Sequence, residues 1–175
     1  MIAVKDIRDK DLRITNKPIV YYWWFKTSCF EQLLDLLKEE IDFDRIVIKE
    51  IHQEPYGLLY IGRGKRGHDR LVKYHIHDSN NFHTKGVQNG RLSSLRQTLC
   101  GLLQLPMSSS KQAINTFMDD NCMVEFKTHT LESHDSIEKE EITNNYLPLN
   151  SQNTQKSLTT KHRIILSACK KRMKQ

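Results

Sequence analysis

The run from Pro18 to Phe25, PIVYYWWF, is the tightest constraint on how this chain can fold. β-Branched and aromatic side chains on successive positions after a proline suit a pleated backbone, so the segment reads as a buried strand. Residues 30–40, FEQLLDLLKEE, then place Phe30, Leu33, Leu34 and Leu37 at helical spacing with acids on the other side. From Arg45 the sequence RIVIKEI alternates apolar and charged residues as a half-exposed strand would. Pro55 and Gly57 mark a turn into LLYIG, a second buried strand.

Further along, Leu71 and Tyr74 share a face of a short helix over Asp69 to His77, and Ser79 to Gly90 is a polar loop. Ser93 or Ser94 caps a helix whose Leu95, Leu99, Leu102 and Leu103 form an apolar stripe, ended by Pro106. A helix over KQAINTFMD follows, and CMVEFKTH is a third strand. Ser136 or Asp135 caps a helix through Tyr146, stopped before Pro148. A polar linker over 150–160 leads to a last helix with Leu158, Ile165, Cys169 and Met173 facing inward. A few strands alternating with helices predict an α/β (α+β) domain with a small central sheet, and 175 residues suit one folded unit.

Charge is uneven. Residues 60–104 hold eight Lys or Arg against two acids, and residues 156–175 hold seven basic residues and no acid. Two concentrated positive segments in a chain of net charge +6 favour a phosphate backbone as partner, with a solvated surface as the plain alternative. No stretch approaches the roughly 18 apolar residues of a membrane helix, and charges interrupt the start MIAVKDIRDKDLRI, so neither a membrane partner nor a secretion signal is expected. Cys29, Cys100, Cys122 and Cys169 form no C-x-x-C pair, which argues for reduced, buried thiols and a cytoplasmic protein. Nothing in the pattern selects an oligomeric state.

Two segments carry chemistry. In LLYIGRGKRGHDRLVKYH, a buried strand delivers Tyr60, Ile61 and Gly62 to a basic, glycine-containing loop before a helix that opens with Asp69 and Arg70. Small residues let a phosphate approach the backbone, although the loop is neither a dinucleotide fingerprint nor a P-loop. In SIEKEEITNNYLPLN, Glu138 and Ile142 share a helix face, so Glu138 points toward the core. A carboxylate there needs a metal ion or a salt bridge to an arginine. His75 and His77 flank Ile76 and diverge on a helix, which suits solvated or nucleic-acid-contacting histidines better than a zinc pair. Trp23 and Trp24 suit core packing better than base stacking.

With these segments in this order, the chain resembles the GIY-YIG nucleases of homing endonucleases and nucleotide-excision-repair incision subunits. Ile19, Val20 and Tyr21 look like the first motif, and Tyr60, Ile61 and Gly62 match the second literally. Arg70 falls at the family's arginine, and Glu138, Ile142 and Asn150 fit the pattern that begins at its glutamate. Pro18 to Phe25, Ser93 to Leu103 and Pro148 to Asn150 are similar to segments of a bacterial subset of the family, so the likeness spans about residues 18 to 172.

The resemblance implies a small antiparallel three-stranded sheet flanked by helices within one domain over 1–175. Residues 26–57 would be an insertion between the first two core strands, and 158–173 a basic C-terminal helix. It also implies a divalent-metal-dependent DNA endonuclease with catalytic Tyr21, Tyr60, Arg70 and Glu138, and one Mg²⁺ or Mn²⁺ on Glu138. Gly62, Asn150 and either Tyr74 or His75 would support the site. Arg63, Lys65, Arg66, Lys73, Arg96, Lys170 and Lys171 would contact nucleic acid. A tyrosine of pKa about 10 is a poor base, so Tyr21 or Tyr60 would have to be lowered by the metal, Arg70 or Lys65. Ile19 stands where the first motif has glycine. The alternative to an enzyme is a nucleic-acid-binding module of the same fold with an impaired site, and a third reading is a restriction-type nuclease whose insertion reads bases.

Overall fold

Hydrogen bonding joins five strands into one antiparallel sheet in a computed structural model that describes residues 1–79, 93–154 and 157–174. The strands are β1 (Ile2–Ala3), β2 (Ile19–Lys26), β3 (Ile48–Ile51), β4 (Glu54–Gly64) and β5 (Cys122–Thr128), in the spatial order β1-β5-β2-β4-β3. The sheet is therefore wider than the expected three strands. β2, β4 and β5 form its centre, and the segment expected as an insertion adds β3 to one edge. β1 adds the other edge. Its two residues are too few to carry a period.

The hairpin joining β3 to β4 turns earlier than expected. Ile51 pairs with Glu54, and the two residues between them, His52 and Gln53, have φ of 51° and 65°. Two positive φ values suit the right-handed twist of a tight hairpin, but His-Gln lacks the Asn or Gly that announces such a turn. Pro55 and Gly57 consequently lie inside β4.

Helices cover both faces of the sheet. On one face Tyr21, Trp23, Phe25, Leu59 and Tyr60 pack with Leu71, Leu95, Leu99 and Leu166 in the larger core. On the other, Val20, Tyr22, Trp24, Leu58 and Ile61 pack with Ile142 and Leu147. Trp23 and Trp24 thus fill the two cores, as packing predicts.

The helices are α1 (Val4–Asp9), α2 (Phe30–Leu34), a π-helix (His68–Ile76), α3 (Ser94–Leu102), α4 (Lys111–Asn121), α5 (His134–Asn144) and α6 (Thr160–Arg172). The helix expected over 30–40 tightens into a 3₁₀ turn at Asp35–Glu40, yet Phe30, Leu33, Leu34 and Leu37 are buried as their spacing predicts. Ser93, rather than Ser94, caps α3, accepting a hydrogen bond from the Arg96 amide at 3.2 Å. α5 starts before Asp135 and Ser136, so neither caps it. The cysteines at 29, 100, 122 and 169 are free and buried. Among the described residues no helix is long and apolar enough to cross a membrane. Most of the polar loop expected over 79–90, and positions 155 and 156 of the linker, lie outside the described residues.

Candidate active site

Two irregularities of the backbone bring the site together. The first is in β4. Trp23 of β2 pairs with Tyr60 but Trp24 pairs with Leu58, so Leu59 is an extra residue in the ladder. Strict alternation would carry Leu58, Tyr60 and Gly62 on one face, but a bulge shifts the phase by one. Leu58 stays in the smaller core while Tyr60 joins Tyr21 on the face of the larger one. Gly62 is the partner of Tyr21 across the ladder, and the Tyr21 ring lies over it. A Cβ on Gly62 would meet Tyr21 Oη at 2.7 Å and its Cε2 and Cζ at 2.8 Å.

Ile19, in place of the expected glycine, sits in regular strand pairing between Gly64 and Thr128. Its side chain takes room left by Gly67, whose Cβ would come within 2.9 Å of Ile19 Cγ2. The position makes no demand for a left-handed backbone.

The second irregularity is the π-helix. An α-helix would place Arg70 and Tyr74 on one face, whereas i→i+5 winding advances the facing residue to His75. The bond from the His77 amide to the Val72 carbonyl, 2.8 Å, has that π spacing. His75 is fully buried, and its Nε2 lies 2.7 Å from Tyr21 Oη. Its ring also meets those of Tyr21, Trp23 and Tyr60 edge-on. Of the two candidates, His75 therefore faces the site, and it is neither solvated nor exposed to a ligand from outside. Tyr74 lies instead beside Lys65 and Arg66 on the loop side.

The last carbonyls of the π-helix are taken up by arginines. Arg96 donates to the carbonyls of His75 (2.6 Å) and Ile76 (2.8 Å) and to Asn115 Oδ1, and Arg8 also donates to Ile76. Arg96 is completely buried, so it is not a surface contact for nucleic acid as expected. Its helix is covered on the polar side as well, which the apolar stripe alone does not reveal. Burial lowers its pKa to about 10.

Glu138 approaches from α5. Its side chain is 17% exposed, and Arg63 Nε donates to Glu138 Oε2 at 2.9 Å. Arg63 Nη1 is 2.6 Å from Asp135 Oδ1, which is itself 3.0 Å from His134 Nε2. Asn150 completes the frame at the free edge of β4, where β3 pairs no further than Gly57. Its Oδ1 accepts from the Ile61 amide (3.0 Å) and its Nδ2 donates to the Ile61 carbonyl (2.8 Å), replacing a neighbouring strand.

Tyr21, Tyr60, Gly62, Arg63, Arg70 and Glu138 line one polar cleft of about 290 Å³, together with Ser94 and Gln152. Ser94 and Gln152 were not anticipated. Ser94 Oγ is 2.8 Å from Tyr60 Oη, a contact between α3 and β4 for which residues so far apart in sequence carry no signal. Burial raises the pKa of Tyr21 and of Tyr60, outweighing the lowering effect of nearby Arg70. Neither tyrosine has the lowered pKa that a base would need. Burial, reinforced by Arg70 and Arg96, holds His75 well below its ordinary value, so its imidazole is neutral at pH 7. Burial also raises the Glu138 carboxyl against the opposing pull of Arg63.

Among the described residues no group of three or more His, Cys, Asp or Glu could enclose a metal ion. A single carboxylate nevertheless fits an ion that keeps most of its water, as Mg²⁺ does. Glu138 lines the cleft, and its Oε1 has no hydrogen bond among the described residues.

The basic positions divide into two regions. Lys65 and Arg66 are exposed beside Arg63 and Arg70 in a groove that adjoins the cleft. Lys73, on the π-helix, is tied to Asp69 at 2.7 Å, as is Arg66. Lys170 and Lys171 lie on α6, whose Cys169–Lys170 backbone packs against Gly101 near the far end of α3 from Ser94. At 1.5 Å per residue that separation is about 10 Å along the helix.

A family model described as the GIY-YIG catalytic domain matches residues 19–172. No curated protein and no solved structure matches the chain. The match takes in β2, the bulged β4, the π-helix and α5, the elements that supply every side chain of the first and second motifs, the arginine and the glutamate. On that extent of agreement, the chain belongs to the GIY-YIG nuclease family.

Proposed function

We propose that the cleft hydrolyses phosphodiester bonds of DNA with one Mg²⁺ or Mn²⁺ held by Glu138, and that this happens in the cytoplasm within a single domain over 1–175. The observation that supports this most is Arg70. It is half-buried, lines the cleft with Tyr21, Tyr60 and Glu138, and forms no ion pair among the described residues. A partly buried guanidinium in such a place is completed by an anion, and a scissile phosphate supplies one. The free, buried cysteines agree with a reducing compartment.

When bound, the ion would polarise the phosphate and stabilise the leaving oxygen. The chain's own residues supply the rest. Arg70 binds the phosphate and the charge that develops on it. Tyr21, fixed by His75 at 2.7 Å, hydrogen-bonds and orients the attacking water, whose oxygen bonds to phosphorus as the P–O bond to the leaving oxygen breaks. The water proton leaves to solvent in the cleft, because the raised pKa of Tyr21 and the lowered pKa of His75 make neither of them a base at pH 7. Tyr60, held by Ser94, orients the water from the other side. Lys65, Arg66 and Lys73 carry flanking phosphates.

The Arg63–Glu138 pair favours a second reading, a nucleic-acid-binding module whose carboxylate serves only the fold. Nicking of supercoiled plasmid by the purified protein in Mg²⁺ or Mn²⁺ separates the two. Cleavage by wild type, abolished in Glu138→Gln and Arg70→Gln, is expected. DNA binding without cleavage would establish the module, and undiminished cutting by Glu138→Gln would remove Glu138 from the mechanism.

A further inference from the structure

Arg63 bridges two carboxylates that lie three residues apart and share one face of α5. The two contacts differ in surroundings. Glu138 is 17% exposed and lines the cleft, whereas Asp135 is 51% exposed. A divalent cation at Glu138 and a guanidinium donating to the same carboxylate repel one another, so both cannot hold it fully. Arg63 already has a second carboxylate, and it can release Glu138 while remaining paired. Asp135 Oδ1 also lies 3.0 Å from His134 Nε2.

We propose that Arg63 is a displaceable counter-cation for Glu138: it neutralises the carboxylate before the metal ion arrives, competes with the ion, and retires onto Asp135 when the ion binds. This rests on the reading that Glu138 holds the ion. It assigns Asp135 a role as the resting partner of Arg63, not as a ligand. Arg63 is thereby a positioning residue, acting through Glu138.

The test is Mn²⁺ binding to the full chain without DNA, measured by titration calorimetry and by the electron paramagnetic resonance signal of free Mn²⁺. Arg63→Gln is expected to tighten binding roughly fivefold, the scale of a partly exposed ion pair. Asp135→Asn removes the resting partner and is expected to weaken binding about twofold to threefold. The double variant should match Arg63→Gln, because Asp135 acts only through Arg63. Arg63→Lys keeps the charge but cannot bridge both carboxylates with a planar fork, so it should fall between wild type and Arg63→Gln. It carries the test if the glutamine variant does not fold.

Binding in Glu138→Gln equal to wild type would overturn the assignment of the ion itself. Loss of binding in Glu138→Gln, with Arg63→Gln and Arg63→Lys unchanged from wild type, would overturn the handover alone and leave a structural salt bridge. A loss of binding on adding Asp135→Asn to Arg63→Gln, additive or larger, would overturn it too, because Asp135 would then act on the ion without Arg63.

Discussion

Replacing Gly62 by alanine tests whether the face-to-strand placement of Tyr21 sets the activity. The new Cβ would stand 2.7 Å from Tyr21 Oη and 2.8 Å from Cε2 and Cζ. Ordinary carbon contacts begin near about 3.5 Å, so the ring must retreat by roughly 0.7 Å. It has little room to do so, being 1% exposed and tied at Oη to His75 Nε2 by a 2.7 Å contact. Overpacking of this kind costs about 1–3 kcal/mol, which lowers Tm by about 2–12 °C for a chain of this length. Displacing a reacting group by such a distance costs on the order of 100-fold in rate. Gly67→Ala is the control. Its Cβ would press on the Thr15 carbonyl at 2.8 Å and on Ile19 Cγ2 at 2.9 Å, with comparable strain and no contact to the cleft. Thermal melts and plasmid nicking at equal folded concentration should show similar losses of stability but a rate loss confined to Gly62→Ala. Wild-type rate in Gly62→Ala, or an equal rate loss in Gly67→Ala, would refute the reasoning.

Other perturbations address the frame. Arg96→Met leaves the His75 carbonyl and Asp78 without a buried cation and the Ile76 carbonyl with Arg8 alone, and should cost about 3–5 kcal/mol, seen as a Tm fall of about 10 °C. A shift below about 2 °C would contradict that role. His75 is held neutral by burial, so its folded pKa lies below the unfolded value of about 6.5. The stability it contributes is present above that value and lost as pH falls from there toward its lowered folded pKa. Urea midpoints between pH 7 and 5 should therefore fall less steeply in His75→Gln, by up to about 1.4 kcal/mol per pH unit. An identical slope would show that His75 protonates freely in the folded chain. Asn150→Ala strips both partners from the Ile61 amide and carbonyl, so amide exchange at Ile61 should accelerate and stability drop by about 1–3 kcal/mol.

Much of the site can be read in the sequence because its motifs are local. Tyr60, Ile61 and Gly62 are contiguous, Ser93 or Ser94 announces a helix, and of the stripe Leu95, Leu99, Leu102 and Leu103 the first three are buried and the last half-buried. The local reading also selects Glu138, and the family resemblance Arg70, which the fold brings to one cleft. It stops short where a chain neighbour is the wrong guide. Strict alternation would set Tyr60 on the face of Leu58 rather than of Tyr21, and spacing alone leaves both Tyr74 and His75 open beside Arg70. The expected three-stranded sheet omits β1 and treats β3 as inserted, since an edge of two or four residues is defined by the strand it joins.

Sequence alone determined the order of strands and helices in the centre, the chemistry of the motif residues and the positive charge beside them, because propensity and periodicity are properties of neighbouring residues. Tertiary structure decided the bulge at Leu59, the π winding that swings His75 onto Tyr21, the burial of Arg96 and the clasp of Arg63 on Glu138 and Asp135. Each depends on partners distant along the chain. Register and burial are settled only when those partners compete for the same space and the same hydrogen bonds.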